Sequence, residues 1–304
     1  MIKQVIKGLV KYPLIMANRI YIRNYFKGHR PSDEACEIDL KGSQGICVLA
    51  PHVDDETIGL GGTLVKCKEK HVPMHLIYMT DGSGSTSLKS KEELIQERRA
   101  EGEATQKAYG FDSLTFLDRE DGALSADEAS LIEDLSALLK THKPGIIFSP
   151  YLVDGNNDHV QTSIALAKSI QTIENYNPSI CLYQVNSIIP PKLVNCTSTL
   201  SQKEFDERTE KYRLFTSQWA MGFSIFDLLI TGRIKNYNKT GQAMEIFVKM
   251  DIEGLNKSID ILKSKAFNPL LYKQISSEFT LIPSVLQAKE SKQYFNDLIA
   301  QVIR

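Results

Sequence analysis

Residues 45–51 read GICVLAP, an unbroken apolar run too short for a helix and bounded by Gly45 and Pro51. Such a run predicts a strand buried on both faces. The pattern recurs at 73–80, 114–117, 146–149 and 180–185. Between these runs, apolar residues at helical spacing predict helices over 59–70, 89–109, 125–142 and 158–171, the second ending at Gly110 as a terminating glycine should. Strands alternating with helices imply βαβ units and a mostly parallel sheet covered by helices, in which ligands bind beyond the carboxyl ends of the strands. The fold class expected is therefore α/β, Rossmann-like, with a mostly parallel sheet flanked by helices and extra helices at both ends of the chain.

The pattern loosens after Pro191. A helix is expected over 205–219, a mixture over 222–238, and amphipathic helices from Ile252 onward, broken at Pro269 and Pro283. At the other end, Ile2, Val5, Ile6, Leu9 and Val10 repeat at helical spacing against Lys3, Lys7 and Lys11, and Pro13 is expected to end or kink that helix. These patterns divide the chain into a basic amphipathic arm (1–43), a main domain (44–250) and a helical extension packed on it (251–304). The arm fits two readings, a helix docked on the core and a peripheral contact with anionic membrane through residues 1–30.

Charge changes the picture only locally. The formal net charge is −1, which offers no field for nucleic acid, yet the first acidic residue is Asp33, after a run of lysines and arginines. Five cysteines, odd in number and without a CxxC pair, argue against a disulfide framework and against a thiolate zinc site, and fit a reducing cytoplasm. No apolar run reaches the roughly 18 residues of a membrane span.

Chemistry gathers in VLAPHVDDETIGLGGT, residues 48–63. A buried strand runs straight into one imidazole and three carboxylates. His52 and Asp55 are three residues apart, so a single turn brings them to one side, while Asp54 points elsewhere. One imidazole and one carboxylate are two of the three protein ligands usual for a catalytic zinc, and the neighbouring carboxylate is then available as a base for the activated water. His159, in DGNNDH after the strand at 146–149, is the candidate third ligand, with Asp158 beside it as the group that fixes its imidazole. Taken alone, HVDDE also fits a solvated acidic helix start. The remaining histidines, His29, His71, His75 and His142, stand apart and read as structural or exposed. Gly59, Gly61 and Gly62 form GxGG, but acids precede them and the GxGxxG fingerprint is missing, so close helix packing explains them better than a dinucleotide. Neither a GxSxG elbow nor a GxxxxGK[ST] loop occurs.

PHVDDE at 51–56, GGT at 61–63, TDG at 80–82, RRAE at 98–101, EDG at 120–122, SPYLVDGNNDH at 149–159 and TSQ at 216–218 together resemble the PIG-L or LmbE-like deacetylase family. That resemblance implies a zinc-dependent hydrolase that removes the acetyl group from an N-acetylglucosamine-type sugar conjugate. It implies His52, Asp55 and His159 as ligands, with zinc or ferrous iron as the metal, and Asp54 as general base. It further implies substrate contacts by Arg98 and Asp121, although Arg98 also has Glu97 and Glu101 within reach on its own helix. Asn156 stands where the family places a histidine. An asparagine can donate a hydrogen bond to an oxyanion but cannot deliver a proton. This departure leaves two other readings beside the deacetylase, an amidase releasing a larger acyl group and a weakly catalytic, metal-containing glycan-binding protein.

Overall fold

The computed structural model describes residues 2–29, 35–237, 239–288 and 291–303. An eight-stranded sheet forms its centre, in the order β1-β7-β8-β6-β5-β2-β3-β4. The strands are β1 (Cys36–Glu37), β2 (Ile46–Ala50), β3 (Met74–Thr80), β4 (Ser113–Arg119), β5 (Ile146–Pro150), β6 (Ser179–Tyr183), β7 (Cys196–Leu200) and β8 (Ala243–Met250). From β4 to β6 all neighbours are parallel, and β8 runs antiparallel to both β6 and β7. The chain travels from β2 outward through β3 to β4, then returns to build β5 and β6 on the other side of β2. The crossover leaves a crevice at the carboxyl ends of β2 and β5, the place where open α/β sheets bind ligands.

The unbroken apolar run of β2 is explained by helices on both faces. Ile46, Val48 and Ala50 enter one core and Cys47 and Leu49 the other, as the two-residue period of a strand requires. The helices are α1 (Ile2–Gly28), α2 (Asp55–Glu69), α3 (Lys91–Tyr109), α4 (Ala129–His142), α5 (Asn157–Gln171), α6 (Gln202–Lys211), α7 (Ser224–Arg233), α8 (Ile252–Ser264), α9 (Leu281–Ala288) and α10 (Ser291–Ile303). Leu255, Ile259, Phe295 and Ile299, from α8 and α10, are buried in the second core.

Several expectations need correction. β7 and β8 lie where the sequence pattern loosens, and the helix expected over 205–219 ends at Lys211 and continues as short 3₁₀ turns. Helix α4 begins at Ala129 rather than at residue 125. Pro283 lies inside the first turn of α9, where a missing N–H costs nothing. Pro13 does not end α1 either. Beyond it Ile22 and Phe26 are buried and Asn18 donates to the Glu278 carbonyl at 2.8 Å, so tertiary packing carries the helix past the proline. The side chains of Lys3, Lys7 and Lys11 lie outside the described residues, as does Arg30. Among the described residues no helix is long and apolar enough to cross a membrane.

Helix α2 departs most usefully from expectation, because it starts at Asp55 and not at the glycines. It kinks at Leu60 (φ −150°, ψ 20°) and in effect starts again. The new N-terminus is capped from β8: Glu245 accepts from the Gly62 N–H at 2.8 Å, the Thr63 N–H at 2.8 Å and the Thr63 hydroxyl at 2.6 Å. A buried carboxylate thus occupies a helix start of the kind that elsewhere binds phosphate. A Cβ on Gly59 would stand 2.2 Å from the Tyr183 ring, and one on Gly62 2.2 Å from Leu200. Close packing accounts for both glycines.

Candidate metal centre and active site

The carboxyl-end loops of four of the parallel strands supply parts of one cluster: 51–55 after β2, 81–84 after β3, 120–122 after β4 and 154–159 after β5. His52 and His159 come from opposite sides of the crevice, their ring centroids 5.5 Å apart. Asp55 Oδ2 lies between them, 3.1 Å from His52 Nδ1 and 3.4 Å from His159 Nε2. Donors held at about 2.0–2.1 Å from a tetrahedral ion lie about 3.3–3.4 Å from one another, so these separations fit the edges of a metal's coordination shell.

His159 supplies the sharper sign. It is fully buried, yet among the described residues neither ring nitrogen has a hydrogen-bond partner, only carboxylates at ion-pair distance. Orphaned buried polar atoms are rare and costly, and a cation at Nε2 would satisfy this one. His52, Asp121 and Asp158 form a second group of suitable composition that shares His52. There the Asp158 carboxylate already accepts from the Gly122 N–H at 2.7 Å and the Leu124 N–H at 3.2 Å, so the triad of His52, Asp55 and His159 is better suited to a cation.

The electrostatics follow from crowded carboxylates. Burial opposes charge on Asp55, but the His159 and His52 imidazoles outweigh it and hold the carboxyl well below its usual range. Burial likewise opposes protonation of the histidines. Asp55 and Asp154 nevertheless raise His159 to about 10, and Asp121, Asp158 and Asp55 raise His52 well above its ordinary value. The carboxylates thus favour positive charge at this point, which a divalent cation would supply.

Asp54 precedes the helix with φ 126°, a region non-glycine residues occupy only when their surroundings hold them. Its N–H donates to Glu56 Oε2 at 3.1 Å, and its carbonyl accepts from Ile58 at 2.9 Å. The side chain is buried with Oδ2 3.7 Å from Arg98 Nη2. Burial raises the Asp54 carboxyl; Arg98 opposes the rise, and Asp55 and Glu56 add to it. Glu56, the last carboxylate of HVDDE, points into the core, where it accepts from Tyr78 and Thr57.

Arg98 is buried on α3 and spends its guanidinium on protein partners. It donates to the Val53 carbonyl, to Glu101 at 3.1 Å and to the Ser217 hydroxyl at 3.3 Å. Glu101 in turn accepts from the Ser217 N–H at 2.7 Å and the Thr216 hydroxyl at 3.2 Å. The TSQ segment thus closes a chain running from Thr216 to Asp54. Local spacing joins only Arg98 to Glu101; nothing near either points to Asp54, Thr216 or Ser217.

Asp121 is within the cluster, Oδ1 3.3 Å from His52 Nε2, while Oδ2 accepts from the Gly84 N–H at 3.1 Å. Contrary to the expectation from its neighbouring position, Asp158 does not lie against His159. Its Oδ2 is 3.3 Å from His52 Nε2 instead, because adjacent residues on a helix project about 100° apart. The residue beside His159 is Asp154, 3.6 Å from Nδ1. The DG that opens DGNNDH was the available signal for it. Asn156 caps α5, its side-chain oxygen accepting from the Asp158 N–H at 2.9 Å. The other histidines lie outside the cluster: His75 stacks on His142 at 3.8 Å, and His29 on Tyr25 at 4.4 Å.

Comparison with known proteins follows this geometry. Residues 47–170, which hold the cluster, match the family described as PIG-L: GlcNAc-PI de-N-acetylase. The diacetylchitobiose deacetylase of Thermococcus kodakarensis is 28% identical over 141 residues, 44% of this chain and 52% of that protein, so the chain spans about half the length of this relative. The solved N,N'-diacetylchitobiose deacetylase from Pyrococcus horikoshii superposes with a TM-score of 0.57 at 23% identity, over 70% of this chain and 87% of that one. GalB, the 4-carboxy-2-hydroxymuconate hydratase from Pseudomonas putida, gives 0.58 at 16% identity, over 68% and 96%. At these identities the structural likeness shows the shared α/β fold, and GalB's different reaction shows that this fold alone does not select the chemistry.

Proposed function

Since residues 47–170 belong to the PIG-L family, we propose that this protein is a metal-dependent hydrolase that removes the acetyl group from an N-acetylglucosamine-type sugar conjugate. His52, Asp55 and His159 would hold the cation, and two imidazoles with one carboxylate suit zinc, or ferrous iron in the same place. When bound, the cation supplies Lewis acidity at the acetyl carbonyl and acidifies a water. Asp54 takes a proton from the attacking water and returns it to the leaving amine. Water and amide are consumed; acetate and the free amine are formed.

Arg98, buried and bonded to Val53, fits a positioning role toward Asp54 better than contact with the sugar. Asp121, on the rim and partly exposed, is the better candidate for a sugar hydroxyl. Asn156 has committed its side-chain oxygen to Asp158, so its amide nitrogen remains as the donor to the oxyanion.

The observation that carries this reading is the fully buried His159 imidazole, without a hydrogen bond on either nitrogen among the described residues and set beside Asp55 and His52. The test is an assay of free amine from soluble and lipid-linked N-acetylglucosamine conjugates, with zinc and after chelation. Silence on every conjugate, or turnover that survives chelation, would sink it. A weakly catalytic glycan binder is favoured by Asn156 acting as a helix cap; sugar binding without acetate release, unchanged by Asn156→His, would establish that reading instead.

Exposed Tyr12, Met16 and Ile20 lie at helical spacing on α1 beside exposed Arg19, Arg23 and Lys27. This arrangement supports a peripheral membrane contact and hence a lipid-linked substrate. Absence of the protein from floated anionic vesicles would remove it.

A further inference from the structure

Beyond the metal centre, the same rim of the sheet carries a second concavity. The β6–β7 connection, α1, α9 and α10 enclose a cavity of about 240 Å³, room for several waters at about 30 Å³ each or for a small polyatomic ion. Its described lining contains Lys192, Lys292 and His29 and not one carboxylate.

Lys292 defines the site. It sits at the start of α10, is only 3% exposed, and among the described residues its ammonium has a single hydrogen-bond acceptor, Ser187 Oγ at 2.6 Å, besides the face of Tyr272 at 4.8 Å. Among the described residues no carboxylate lies within ion-pair distance of it, whereas Lys192 already pairs with Asp297. An ammonium has three protons to donate, and a buried one without a counter-ion is expensive. Burial pulls Lys292 down to about 8, with the more distant Asp154 opposing, as fits a cation whose partner is elsewhere. Asn296, also in the lining, accepts the Tyr151 hydroxyl proton at 2.7 Å and so keeps its amide nitrogen as a donor.

We infer that this cavity is a binding site for a small oxyanion, a phosphate or a carboxylate, with Lys292 as its counter-charge. Ser187 links the site to the loop that carries Asp154. Ser187 Oγ accepts from both Lys292 and the Gly155 N–H, at 3.1 Å for the latter, and Gly155 adjoins Asp154, the residue beside His159. Occupation would thus be felt in the loop that carries Asp154. The inference does not depend on which reaction the metal centre performs.

The test titrates inorganic phosphate and acetate separately into the zinc-loaded full chain by calorimetry. At least one is expected to bind, phosphate alone marking a phosphate-bearing ligand and acetate alone a small carboxylate. Lys292→Met should weaken binding at least about tenfold, the loss of one charge-assisted hydrogen bond. Should that variant fail to fold, Lys292→Gln, which retains a donor to Ser187, serves in its place. His159→Gln should retain binding. Binding of neither anion, binding untouched by loss of the lysine charge, or binding abolished in His159→Gln would overturn the site.

Discussion

Two buried arginines flank the segment 48–63, and they are built alike. Arg98 donates to the Val53 carbonyl, Arg208 to the Ile58 carbonyl at 3.0 Å, and each also meets two carboxylates. They differ in where the carboxylates lead. Those of Arg208 are Asp227 on α7 and Glu245, which caps the restarted half of α2, so the network pins one element to another. Those of Arg98 are Glu101 and Asp54, and Asp54 stands beside the candidate metal ligands on the carboxyl-end rim. A buried ion pair by itself therefore does not mark function. Its position relative to the crevice does.

The contrast is sharpened first by Asp54→Asn. On the catalytic side of the pair, kcat should fall by about 10²–10⁴, while bound zinc and the urea midpoint stay near the parent's. A large loss of stability instead would place Arg98 and Asp54 in the same class as Arg208 and Glu245. Next comes Glu245→Ala, which leaves Arg208 short of one partner and frees the cap on α2. An unfolding free energy lower by about 3 kcal/mol is expected in urea, with zinc content per folded chain retained. The smallest effect belongs to Glu101→Gln, which loosens Arg98 without touching the ligands. Here kcat should drop by about tenfold, equivalent to about 1.4 kcal/mol, with little change in KM. A change confined to KM would return Arg98 to the substrate-contact role that the family resemblance implies.

What could be read from the sequence was what is local. The apolar runs of β2, β3 and β5 announced a parallel sheet, and the polar clusters behind them announced a rim. His52 and Asp55 share a turn, and both they and His159 follow a buried strand. The relations that escaped are those made across the fold. Glu245 reaches α2 from a strand 182 residues away, and nothing near Thr63 hints at it. Ser217 reaches Glu101 over 116 residues. β7 and β8 were hidden because CTSTL and AMEIFVKM mix polar and apolar positions without clean alternation. Asp158 was assigned to the wrong histidine because proximity in sequence stood in for direction around a helix. The sequence around Lys292 likewise carries no sign that it is buried.

The account rests on a cation held by His52, Asp55 and His159, and metal analysis tests that directly. The purified chain, reconstituted with zinc or ferrous iron and freed of excess, should retain stoichiometric metal, and His159→Gln, still folded by circular dichroism, should retain almost none. Full metal content in the variant, or none in the parent with either ion, would contradict it.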